Sequence, residues 1–161
     1  MKKIVKNRTK QARRPADDEP TGGAVFRYIE TSTLLAAAID DDPKAKMALQ
    51  GEGHRIASEL TFVEASRVVV RRRAINDLTS AQERTAIRRI RMFRNRCDLL
   101  ALTERVFERV GRPFPVEPVR TNDAIHLATA ELIDEQPQLV TIVTRDRHIR
   151  ENAIALGFMV E

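Results

Sequence analysis

The stretch Leu139-Val140-Thr141-Ile142-Val143-Thr144, the helical run from Asp146 to Gly157, and Phe158-Met159-Val160 read together as strand, helix, strand. The first run is rich in β-branched side chains, which pack well on a pleated surface. It is also nearly continuous in apolar character, the pattern of a strand covered on both faces. Asp146 opens the helix and Gly157, with no Cβ to oppose a left-handed backbone, ends it. The same alternation recurs upstream. Ala24 to Ile29 is a strand-like run ending at Glu30, and Thr31 and Ser32 are suitable N-caps for a helix from Thr33 to Ile39. Asp40-Asp41-Asp42 breaks that helix, and Pro43 suits the first turn of a short one reaching Leu49. Gly51 and Gly53 close it before a strand from Arg55 to Ser58. Thr61 opens a helix to about Ile75, a further helix runs from Ser80 to Arg96, and Leu99 to Leu102 reads as a buried strand. Thr103 caps a helix to about Val110, and the next, Ala124 to Ile133, starts at Asn122 or Asp123. Strands alternating with helices throughout predict a three-layer α/β/α sandwich with a mostly parallel central sheet.

The 161 residues suit one compact domain, large enough to bury roughly two-thirds of its unfolded surface without disulfides or structural metal. Residues 1 to 24 are polar, punctuated by Pro and Gly and without apolar period. They are expected to form a flexible basic tail, with the domain spanning 25 to 161. Trp is absent and Tyr occurs once, which argues against an aromatic stacking platform for single strands. Cys97 is alone, excluding a disulfide framework and a Cys-based zinc site, and no His is evidently paired with it for nucleophilic work. No apolar run is long enough to span a membrane and no secretory leader is evident, so the expected compartment is the cytoplasm.

The net charge of +5 is unevenly placed. Thirteen Arg stand against five acids between Arg67 and Arg112, whereas the remainder of the domain is acidic. Such segregation fits a surface for nucleic acid or a protein partner, and equally a solvated helical face.

Four acids fall near strand-to-helix junctions: Glu30, Glu64, Asp123 and Asp146. In a parallel sheet, ligands gather outside the carboxyl ends of the strands, which makes these positions candidates for one site. Carboxylates held close repel one another unless protonated or bridged by a cation, and oxygen ligands favour Mg²⁺ or Mn²⁺ over zinc. Each acid but one also has a purely structural reading. Thr61-x-x-Glu64 is a capping-box pattern, while Asp123 and Asp146 suit N-caps. Glu30, at the end of an apolar strand, has no evident cap to make. His126, one helical turn after Asp123, could hydrogen-bond an acid or a substrate, or be a satisfied semi-buried histidine.

The segments around these acids resemble a known family. Tyr28-Ile29-Glu30-Thr31-Ser32 is similar to the opening strand of PIN-domain proteins, in which an aspartate precedes Thr/Ser-Ser. Ser58-Glu59-Leu60-Thr61-Phe62-Val63-Glu64 resembles their second acidic motif, with the acid on Glu64 rather than Glu59. Arg120-Thr121-Asn122-Asp123-Ala124-Ile125-His126-Leu127-Ala128 matches the third motif almost throughout, and Val143-Thr144-Arg145-Asp146 the fourth. The resemblance, over residues 25 to 161, is to VapC-like toxins of bacterial toxin–antitoxin pairs. It implies a Mg²⁺- or Mn²⁺-dependent endoribonuclease acting on tRNA or rRNA, a homodimer, and a small antitoxin protein that neutralises it. By the same resemblance Glu30, Glu64, Asp123 and Asp146 hold the metal, with Ser32 or Thr144 orienting water or phosphate. Glu30 departs from the family's aspartate, displacing its carboxylate by about 1.5 Å, one C–C bond. A metal-dependent phosphatase would need a nucleophilic Asp where this chain has Glu30.

Overall fold

The computed structural model describes residues 26–161; the basic tail expected over residues 1 to 24 lies outside them. The chain runs β1 (Phe26–Ile29), α1 (Thr31–Ala38), α2 (Pro43–Gln50), β2 (His54–Ser58), α3 (Glu59–Ala74) and α4 (Ser80–Arg94). It continues through β3 (Asp98–Leu100), α5 (Glu104–Val110), α6 (Thr121–Glu131), a 3-10 turn (Pro137–Leu139), β4 (Val140–Val143), α7 (Arg147–Ala155) and β5 (Met159–Val160).

The five strands form one sheet in the order β3-β2-β1-β4-β5, and every pairing is parallel. The chain winds outward from β1 in one direction through β2 and β3, then returns to β1's other side for β4 and β5. The carboxyl ends of β1 and β4 therefore flank the point where winding reverses, and a crevice opens there. In-register neighbours such as Tyr28 and Ile142 point to the same face.

Two apolar cores separate the layers. Tyr28, Val140 and Ile142 pack with Val106, Leu127, Ile149 and Phe158 beneath α5, α6 and α7. Ala57, Leu34, Phe62, Val69 and Ile90 pack beneath α1, α3 and α4. Cores on both faces of a parallel sheet are the expected three-layer sandwich. Both edge strands are short, three residues in β3 and two in β5, which limits edge-to-edge pairing. No helix of the described residues is long and apolar enough to cross a membrane.

Several boundaries differ from the sequence reading. The strand expected to be buried from Leu99 to Leu102 is instead the edge strand Asp98–Leu100, with Leu99 36% exposed, because no neighbour covers its outer side. α3 begins at Glu59, two residues before Thr61, because Ser58 leaves β2 in extended geometry and its hydroxyl accepts from Leu60 N at 3.2 Å. Cys97 is partly buried, and burial pushes its thiol up to about 12, with Arg55 opposing and Asp98 reinforcing the shift. The group is thus an inert thiol at neutral pH.

The loop before α6 is tied down by one fully buried side chain. Asn152 of α7 donates to Val116 O at 2.9 Å and accepts from Val116 N at 2.9 Å, pairing both backbone groups of that residue. Asn152→Leu keeps the volume but leaves both groups without partners. It is expected to destabilise the fold by about 2 kcal/mol, measured as a lowered urea midpoint. An unchanged midpoint would mean that water replaces the amide there.

Candidate active site

Glu30 follows β1 at the switch point and is 5% exposed. Its backbone N–H donates to Val143 O at 3.1 Å, fixing it beside the end of β4. Its carboxylate Oε2 accepts from Ser32 N at 3.0 Å, from the Ser32 hydroxyl, and from Thr144 Oγ1 at 2.9 Å. Glu30 is thus the N-cap of α1, correcting the expectation that it had no cap to make. The helix starts at Thr31 rather than Thr33 because Thr31 is inside it, with its hydroxyl spent on Glu64.

Glu64 lies in the second turn of α3, too deep to cap it. The capping-box reading fails: Thr61 sits within the helix and its hydroxyl donates to Ile29 O at 3.4 Å. Glu64 instead accepts from Thr31 Oγ1 at 2.5 Å and Asn122 Nδ2 at 2.7 Å, and its Oε2 lies 2.8 Å from His126 Nε2. Burial alone would raise its carboxyl, but the hydrogen bonds from His126, Thr31 and Asn122 outweigh it and hold Glu64 below the usual carboxylate range. Glu59 is exposed and turns toward the exit of β3, where it accepts from Leu102 N at 3.4 Å.

Asp123 is the third residue of α6, whose N-cap position is Arg120, so it is not an N-cap. Its place in the first turn lets the helix dipole favour a negative charge. Burial nevertheless raises its carboxyl above the ordinary range, helped by the charges of Asp146 and Glu30 and opposed by Arg120 and His126. Asp146 does cap a helix: Oδ1 accepts from His148 N at 2.8 Å and Ile149 N at 3.1 Å at the start of α7.

Ser32 and Thr144 stitch the ends of β1 and β4 together. Ser32 Oγ accepts from Arg145 N at 2.9 Å, and Thr144 Oγ1 accepts from Asp146 N at 3.0 Å while both hydroxyls donate to Glu30.

The fold brings Glu30 and Glu64 together with His126, each offering a ligand atom within 4.8 Å of the others. Asp123 and Asp146 stand outside that tight group, yet near enough for both Asp146 and Glu30 to act on Asp123 electrostatically. His126 is buried among Tyr28, Thr31 and Glu64. Its one-turn spacing from Asp123 was the sequence signal for its place here, whereas nothing local marked Thr31 or Asn122 as partners of Glu64.

Among the described residues Glu30, Asp123 and Asp146 form no ion pair, and Glu64 pairs only with His126. Hard oxygen donors with no Lys or Arg paired to them, gathered at a crevice, fit a hard divalent cation. Glu30, Glu64 and His126 are the residues whose ligand atoms lie close enough together to hold such an ion. On α4, Arg84, Arg88 and Arg91 line a groove and form no ion pair with described residues, whereas Arg72, Arg73 and Arg89 of α3 and α4 are paired with acids.

The PIN domain family model matches residues 27–155, and the chain belongs to the PIN domain family. It is 29% identical over 137 residues to "Ribonuclease VapC35" of Mycobacterium tuberculosis, covering 83% of this chain and 93% of that protein. The fold is shared with VapBC2 from Rickettsia felis, solved bound to a DNA fragment from its promoter, at a TM-score of 0.58 and 12% identity, covering 84% of this chain and 97% of that one. It is shared also with VapBC-1 from nontypeable Haemophilus influenzae, at 0.54 and 15%, covering 84% and 96%.

Proposed function

We propose that this chain is the toxin of a toxin–antitoxin pair, a Mg²⁺- or Mn²⁺-dependent endoribonuclease that hydrolyses RNA phosphodiester bonds and is neutralised by a small antitoxin protein. The observation that carries this reading is the set of carboxylates, Glu30, Glu64, Asp123 and Asp146, near the sheet's switch point, none of which is ion-paired with a Lys or Arg among the described residues. Family membership and the likeness to a VapC ribonuclease support it. A bound divalent cation supplies Lewis-acid stabilisation of charge at phosphorus and a more acidic water. Glu64 stays anionic through its three donors and so remains a ligand at neutral pH. Ser32 and Thr144, whose hydroxyls ring the Glu30 carboxylate, orient water or a phosphate oxygen. Arg84, Arg88 and Arg91 offer phosphate contacts or a partner-facing surface. The substrate class is tRNA or rRNA, the assembly a homodimer, and the compartment the cytoplasm.

Cleavage of structured RNA in Mn²⁺, compared between wild type and Asp123→Asn, tests this directly. Equal cleavage by the two proteins sinks the carboxylate mechanism. Rescue of growth on co-expression of the product of a neighbouring short open reading frame tests neutralisation.

One observation favours a second reading, a catalytically attenuated or silent PIN domain that binds RNA or a protein. Glu30 replaces the family's aspartate and its Oε2 is fully engaged inside the fold. Misplacement of about 1 Å costs a metal-assisted reaction around a hundredfold. Under attenuation, Glu30→Asp raises the cleavage rate at least about tenfold. A rate that stays level or falls shows that the site is built around glutamate.

A further inference from the structure

Resting on the nuclease reading above, we propose that His126 and Tyr28 form a buried relay that positions Glu64, with His126 acting as hydrogen-bond donor and not as a metal ligand. The proximity of a His126 ring nitrogen to the oxygens of Glu30 and Glu64, with Nε2 2.8 Å from Glu64, is compatible with either role. The proton inventory decides between them.

Thr31 has one hydroxyl proton, and at 2.5 Å from a carboxylate that can only accept, this proton lies on Glu64. It is therefore unavailable to His126 Nε2, 3.1 Å from the same hydroxyl oxygen. A bare Nε2 would set its lone pair against the Glu64 oxygen at 2.8 Å and the Thr31 oxygen at 3.1 Å, with no proton between it and either of them. Nε2 must carry the proton, which it gives to Glu64. In the neutral ring Nδ1 is then an acceptor, and Tyr28 supplies its donor at 2.9 Å. Tyr28 and His126 are each 1% exposed, so water cannot substitute at either end.

The relay links β1, α6 and α3, and adds Tyr28 and His126 to Thr31 and Asn122 as the side chains that place Glu64. Partners of this kind, which touch a ligand and not the metal, typically govern affinity by roughly 10- to 100-fold.

Protein labelled with ¹⁵N-histidine is read by long-range nitrogen–proton NMR, with His126 assigned by loss of its signals in His126→Gln. The expected result is a protonated Nε2 in metal-free protein that stays protonated when Mg²⁺ is added. An unprotonated Nε2, or one that loses its proton on Mg²⁺ addition, overturns the proposal. A second arm measures Mn²⁺ by calorimetry. His126→Gln places an amide N–H where Nε2 stood and should bind within about threefold of wild type. His126→Leu fills the space without a donor and should bind roughly 10- to 100-fold more weakly. Wild-type affinity in folded His126→Leu overturns the relay; should that variant fail to fold, the NMR result on wild type decides. Neither arm requires RNA cleavage, so an inactive wild type would count against the nuclease reading and not against the relay.

Discussion

Asp123→Asn will slow RNA cleavage by at least about a hundredfold and, without added metal, raise the melting temperature of the protein. The two effects have one cause. Asp123 sits partly buried in the first turn of α6, near the charges of Asp146 and Glu30 and without an ion pair among the described residues. Its carboxyl is raised in the folded state, so ionising it costs more there than in the unfolded chain. The sign follows from linkage. Below the ordinary carboxylate range the group is protonated in both states and contributes nothing. As pH rises through the ordinary value and then the raised one, the cost to the fold grows, and above the raised value it is fully present. At pH 7 the asparagine removes it. A gain on the order of 1 kcal/mol, about 3 °C, is expected, shrinking toward zero near pH 3. Saturating Mn²⁺ should reverse the order, because a ligand that binds only the folded state stabilises the protein able to hold it. Calorimetric melts at both pH values, with and without Mn²⁺, check each part. A lower melting temperature for the metal-free variant at pH 7 would show that Asp123 is held by a partner rather than opposed by its neighbours.

Glu30 in the same site should behave oppositely. Glu30→Ala removes an acceptor that serves Ser32 N, the Ser32 hydroxyl and the Thr144 hydroxyl. Loss of the cap of α1 costs about 1 kcal/mol. The Thr144 side chain, 2% exposed, still accepts from Asp146 N but is left facing a cavity with its O–H donor unpaired, at a further 1–3 kcal/mol or so. Relief of repulsion on Asp123 offsets on the order of 1 kcal/mol. The net expectation is a loss of about 2 kcal/mol in urea denaturation at pH 7. Glu30→Gln keeps an acceptor oxygen and should recover at least half. A stability equal to wild type for Glu30→Ala would mean that the cap and the Thr144 bond contribute nothing, and that Glu30 serves only as a ligand. One carboxylate whose loss stabilises and another whose loss destabilises are what a crevice holds when one acid is built into the backbone and the other is held against repulsion.

Much of this fold was legible along the chain. Val140 to Val143 announced a covered strand through its β-branched run, and its helix and following strand implied a parallel neighbour. The acids at 30, 64, 123 and 146 were legible as candidates because each lies near a junction between strand and helix, and the matching segments around them named the family. The local assignments that failed did so where a residue had a distant use. Thr31 looked like a cap, but its hydroxyl is taken by Glu64, 33 residues away. Thr61-x-x-Glu64 looked like a capping box, but Thr61 binds Ile29 O and Glu64 is drawn to Asn122 and His126. Leu99 looked buried because an apolar residue in a strand usually is, yet β3 ended at the sheet's edge. Periodicity, capping and turn chemistry act within about one helical turn, and so are written in neighbouring residues. The order β3-β2-β1-β4-β5, and with it the meeting of Glu30, Glu64 and His126, depends on which strands the long crossovers bring side by side. That choice is settled by burying two apolar faces at once, a property of the whole packed chain and of no segment within it.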